Sequence, residues 1–371
     1  MGLLSVFMMF LLQILFTSTG IFHEGQEGQD LSTRALAASR ALETAVGDMV
    51  GPTRESRVRP SDARMICQWE PLGLVAHETQ TEGQVLRATV RIDKEQEKAL
   101  LRKQLIAAGE FLANEQDAMD ETLKLMIAMA GYGGRADMLL LPWPQGDAEG
   151  AYVELRHGLS LPERAMPFAE ADGRSLMELG SLVDVPPDIV RDQTTVLASS
   201  LLHVSFDFAS QFTRGWSEPT RGPETVWDSS RVGWPDAKPS GPSFSLTLGE
   251  LSRYDSTDDV FPRFARITVV VGMSPQDAPQ SLLADDLDAG QVTSVRLASI
   301  ENLPLAIHDN LVKIGSEWVE FAEISGNVLK GLVRGRRGTA PKTHARGTGV
   351  RVGRTQVILF RLLHGRDSWN G

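Results

Sequence analysis

The side chains that could do chemistry do not gather into a recognisable set. Seven histidines stand at positions 23, 77, 157, 203, 308, 344 and 364, and no pair of them makes H-E-x-x-H or H-x-H. The single cysteine, Cys67, has no thiol to pair with, so the ligand spacing of a zinc site and a disulfide framework are both missing. No G-x-S-x-G turn marks a nucleophilic serine. The glycines at 131, 133 and 134 follow a helical pattern instead of a strand, the wrong setting for a phosphate loop. Asp255, Asp258 and Asp259 are the weak calcium candidates, and Asp285, Asp286 and Asp288 form a second acidic group. Carboxylate oxygens suit calcium, but neither run has the twelve-residue loop closed by glutamate, and solvated loop charge is the competing reading. The expectation is a protein that is not an enzyme and holds no cofactor.

A basic cluster stands out against a net charge of −11: Arg334, Arg336, Arg337, Lys342, Arg346, Arg351 and Arg354. The overall charge argues against a general nucleic-acid or anionic-membrane surface. Single-stranded nucleic acid also wants aromatic side chains among the basic ones, and only Trp318 and Phe321 are near. Two readings remain open. Arg334, Arg336, Arg337 and Trp318 form a surface for a protein partner, or the arginines are spent on solvated turns and pairing within the chain.

The elements that would position these residues begin with Met1 to Phe22, which contain no charged residue and no histidine. About 20 helical residues span a bilayer core, so residues 1–22 read as a transmembrane helix. Leu31, Ala35, Ala38, Leu42, Ala45 and Met49 then recur at alternating spacings of four and three, one stripe of an amphipathic helix that ends at Gly51-Pro52. Strand patterns follow at 64–69, 84–92, 138–143, 151–156, within 194–210, at 264–271 and at 356–363. Asp93 is placed to cap a long helix over 94–129. From Val292 to Val352 the texture changes to short β-like runs with glycine turns. The fold class expected is α+β: a long N-terminal hydrophobic and amphipathic helix packed on an antiparallel β-sheet head, with a small all-β module inserted. The divisions are 1–22, 23–52, a head of 53–271 with 355–371, and a module of 292–352.

The run Gly2-Leu3-Leu4-Ser5-Val6-Phe7 leading into the apolar helix, with the stripe behind it, resembles the type IV pilin family, most of all the minor pseudopilins of type II secretion systems. The order of Val204 to Phe208, the Trp227-Asp228 loop and Phe261-Pro262 before a strand is similar too. The resemblance implies a structural subunit held in a bacterial inner membrane with a periplasmic head, or built into a periplasmic or extracellular fibre. Its partners would be other pilin-like subunits, joined through the N-terminal helix. Gly2 and Leu3 would flank the processing site. Phe7 stands where the family carries a glutamate, which implies a tip or low-copy position. Separately, Val312 to Gly315, Gly338-Thr339 and His344 to Thr348 resemble a small β-module of phage-tail proteins, which implies binding or assembly. That gives the alternative expectation: a membrane-anchored binding or phage-tail-like assembly protein using the module.

Overall fold

A computed structural model of the chain describes residues 29–49, 65–72, 81–107, 134–145, 149–161, 187–209, 225–228, 262–301, 303 and 310–362. Strand makes up 51% of it and helix 18%, a predominantly β architecture that corrects the α+β expectation. The N-terminal helix α1 (residues 29–47) is short. Ala35, Ala38, Leu42 and Val46 are buried along one side of it, while Arg34, Arg40 and Glu43 are exposed. A helix so patterned covers the face of a sheet. Among the described residues no helix is long and apolar enough to cross a membrane. The inner-membrane location and the fibre location drawn with it are therefore withdrawn. The pilin resemblance required a long N-terminal helix at the head of the fold; the structure is mostly sheet and shows no such helix among the described residues, so the resemblance is withdrawn too. Gly2, Leu3 and Phe7 lie outside the described residues.

The larger unit is one antiparallel sheet. Its strands are β1 (Met65–Leu72), β2 (Thr81–Arg91), β3 (Arg135–Pro144), β4 (Val153–Ser160), β5 (Thr194–Ala209), β6 (Thr225–Asp228), β7 (Phe264–Val271) and β16 (Arg354–Arg361). Their order is β16-β7-β5-β4-β3-β2-β1-β6, so β1 to β5 form a meander, and the sheet curls into half a barrel. Alternation supplies its core. Cys67, Leu86, Met138, Leu155, Phe206 and Ile267 fall on the face that α1 and the helix α2 (Lys94–Ala107) cover. A capping box opens α2: the Gln96 N–H donates to Asp93 Oδ1 at 2.7 Å, and the Asp93 N–H donates back to Gln96 Oε1 at 3.0 Å. The part of the expected helix beyond Ala107 lies outside the described residues. On the opposite face Val190, from the helix α3 (Pro187–Gln193), joins Leu139, Leu141 and Trp143.

Two departures from the sequence pattern matter. The prolines at 142 and 144 do not stop β3. Pairing with β2 ends at Leu140, whereas pairing with β4 continues to Pro144. Each proline thus sits where the strand has one neighbour and no second ladder requires its missing N–H. In β5 the backbone turns at Ser200, whose φ is +58°, and the register with β7 slips between Leu201 and His203. This bulge carries Leu202 and His203 out to the face away from the helices.

The smaller unit runs from Ser281 to Val352, beginning earlier than the 292 boundary read from the sequence. It holds a sheet of order β14-β11-β10-β15-β8, made of β8 (Ser281–Leu282), β10 (Leu311–Ile314), β11 (Glu317–Glu320), β14 (Val333–Arg336) and β15 (Gly349–Arg351). Beside it lies a three-stranded sheet of β9 (Ser294–Arg296), β12 (Glu323–Ser325) and β13 (Val328–Lys330). Leu283, Leu297, Val312, Val319, Leu329 and Val350 form a core of its own. The unit leaves the large sheet after Val271 and returns at Arg354, and those two residues face each other across the β7–β16 pair.

Candidate functional site

The basic turns of the small unit are organised by one buried acid. Glu317 opens β11 and its side chain is fully enclosed. Arg334 grips it from β14 with two parallel bonds, Nε to Oε1 and Nη2 to Oε2, each 2.6 Å. The main-chain N–H groups of Gly335 and Lys342 donate to the same carboxylate at 3.0 Å, and His344 Nε2 lies 3.0 Å from Oε2. Arg334 also donates to the carbonyls of Asp288 and Lys342, at 2.7 and 2.6 Å. Burial alone would raise the acid's pKa; the bonds from Arg334, His344 and Lys342 outweigh it and hold the carboxyl at about 2. Four separate segments are thereby tied into one knot.

A second set of contacts fixes the small unit to the large sheet. Lys313, buried on β10, donates from Nζ to the carbonyls of Ala151 at 2.5 Å and Leu202 at 2.6 Å. Trp318 packs among Ala151, Tyr152, Leu202 and Val270, and its ring meets His203 edge-on at 6.1 Å. Arg351 pairs with Glu149, which also accepts the Gly349 N–H at 2.8 Å. Gly335 within β14, then Arg337 and Gly338 in the turn after it, take positive φ, and Gly338 lies against the six-membered ring of Trp69. Thr339 secures that turn: its hydroxyl accepts from the Trp318 N–H at 2.9 Å and donates to the Arg336 carbonyl at 2.8 Å.

Between the two units an open cleft is lined by Trp69, His203, Lys313, Trp318, Arg337 and Lys342, with Ser316 and Thr339 beside them. Arg337 stacks on Trp318 with its guanidinium carbon 4.4 Å from the ring centre and donates to Thr355 Oγ1 at 3.3 Å. Lys342 Nζ donates to Ser316 Oγ at 3.1 Å. His203, on β5, is buried. Burial first, then the charges of Arg337 and Lys313, push its imidazole well below the usual range and keep it neutral.

The residues marked in the sequence thus separate into groups. Arg334 is enclosed with Glu317, Arg336 pairs with Glu320 at 2.5 Å, and Trp318 is 2% exposed within the junction. Asp255, Asp258 and Asp259 lie outside the described residues. Of the second acidic group, Asp285 pairs with Arg296 at 2.8 Å, Asp286 accepts the Arg346 N–H at 2.6 Å, and Asp288 offers its carbonyl to Arg334. Among the described residues no three acids, histidines or cysteines are placed to hold a metal. Sequence reasoning missed Glu317, Lys313 and Trp69. A lone acid and a lone lysine flanking a glycine turn were the signal available for the first two. No family model, curated protein or solved structure matches this chain.

Proposed function

We propose that the chain is a non-catalytic assembly protein, a phage-tail-like structural subunit, in which residues 281–352 form the recognition module. The observation that supports this reading is how the module is held. A buried ammonium spans two main-chain oxygens of the sheet domain, a glycine turn lies on Trp69, and Arg351 pairs with Glu149. A surface held in one orientation loses little freedom on docking, which is what repeated assembly requires. The charged residues of the motif rigidify the module: Arg334 and His344 both converge on Glu317.

Sedimentation tests it. The full chain and a variant with residues 281–352 replaced by a short Gly-Ser link would be expressed in the native host and fractionated by size. Co-sedimentation of the full chain with a large particle, and a folded deletion variant left in the light fractions, is the expected result. A full chain found only in the light fractions, or a deletion variant that enters the particle equally well, would overturn it.

A further inference from the structure

The cleft between module and sheet has a composition that rigidity alone does not need. Its floor includes Pro142, Val153, Leu202 and Val204, and the indoles of Trp69 and Trp318 form part of its wall. Around this apolar surface stand three basic side chains, Lys313, Arg337 and Lys342, and the described lining includes no acidic one. Hydroxyls of Ser316 and Thr339 add to the rim. Trp69 and Trp318 are 6% and 2% exposed, and each leaves its indole N–H without an acceptor among the described residues. In a chain of net charge −11 this concentration of donors and positive charge is local. His203 reports the same field, since Arg337 and Lys313 both disfavour its protonation after burial has done so.

We infer that the cleft binds an acidic peptide segment of an assembly partner, with a carboxylate at Arg337 and Lys342 and an adjoining apolar side chain against Trp69, Pro142 and Val204. Arg337 and Lys342 are half-buried at the mouth, where a side chain can reach them, whereas Lys313 is at the closed end. A free oxyanion would satisfy the donors but leave the apolar floor uncovered, so a peptide carrying both groups fits better.

The inference rests on the assembly reading only for the owner of the peptide. Calorimetric titration of the full chain with a capped peptide of alternating leucine and glutamate tests it directly. The same peptide with glutamine for glutamate, and inorganic phosphate, serve as comparisons. Saturable binding is expected, weakened about tenfold by Lys342→Ala, the loss of one charge-assisted bond, with its thermal midpoint unchanged, and weakened also by Arg337→Lys. Absence of binding, equal binding of the glutamine peptide, indifference to both substitutions, or phosphate displacing the peptide completely at equal concentration would each overturn it. A chain that binds the peptide but enters no particle fails the assembly reading alone. One that assembles but ignores the peptide fails this inference alone.

Discussion

Gly338 and Trp69 meet across the two units: a Cβ built on Gly338 would overlap Cη2 and Cζ2 of the indole. The contact joins the turn after β14 to β1 in the large sheet. It exists because residue 338 has no side chain and because its φ of +75° is one that glycine adopts freely.

Gly338→Ala is expected to cost about 2–4 kcal/mol, combining left-handed strain with overpacking against the ring. Denaturant titration measures it. The double variant with Trp69→Leu should recover part of the loss, because the two positions share one contact. Strictly additive losses would mean that the ring is not what the methyl meets.

Glu317→Gln should destabilise the chain by about 3–5 kcal/mol, the range for breaking a buried pair and leaving one charge unanswered. Arg334 would lose its carboxylate while still enclosed. Arg334→Lys should fall between the variant and the wild type, because a lysine keeps the charge but cannot make two parallel bonds. Urea midpoints give all three values.

Acid should unfold the protein in two stages. The imidazole of His203 binds its proton less readily in the fold than in the open chain. Stability therefore begins to fall as pH drops below about 6.5, where the unfolded state gains the proton. Glu317 titrates at about 2 in the fold against an ordinary 4.5, so its contribution is full above 4.5 and lost as pH falls toward 2. That second stage corresponds to about 3 kcal/mol. Stability measured by urea at stepped pH should lose the second stage in Glu317→Gln and the first in His203→Asn.

Lys313→Met should leave the large sheet folded and loosen the small unit on it. The carbonyls of Ala151 and Leu202 would lose their shared donor, at about 1–3 kcal/mol for each buried acceptor left unmet. Limited proteolysis reads this as new cleavage in residues 272–280, the connection between the units. Cleavage unchanged from wild type would show that Trp318 and Arg351 hold the junction without Lys313.

How much of this was legible depends on the range of the interaction. The stripe of Ala35, Ala38 and Leu42 is local in sequence, and it is the face that α1 buries. The alternation around Phe206 and Ile267 likewise marks strands whose inner residues are core. The apolar run at 1–22 had a local pattern as well, but reading a family from it extended the helix into an architecture that the described residues do not have. Glu317 and His344 are 27 positions apart and meet only after β10, β11 and β14 have paired. No spacing announces such a knot. The prolines of β3 are a related case: whether a missing N–H matters depends on which neighbour lies alongside, and that is a property of the sheet.

The position of the small unit between β7 and β16 also sets an order in time. As the chain leaves the ribosome, β1 to β7 emerge first, then the whole of residues 281–352, and only then Arg354 to Arg361, which pair with β7 along their full length. Closing that pairing across an unfolded insertion would carry the loop entropy of the entire segment, whereas a folded insertion brings its two ends together beforehand. The small unit has its own core and can fold while the last strand is still being made. Until then β7 is an open edge on the side where β16 will pair, a surface that nascent chains on neighbouring ribosomes could pair with. The eight-residue β16 is therefore the step that takes β7 out of reach of neighbouring copies, and it becomes the outermost strand in its place.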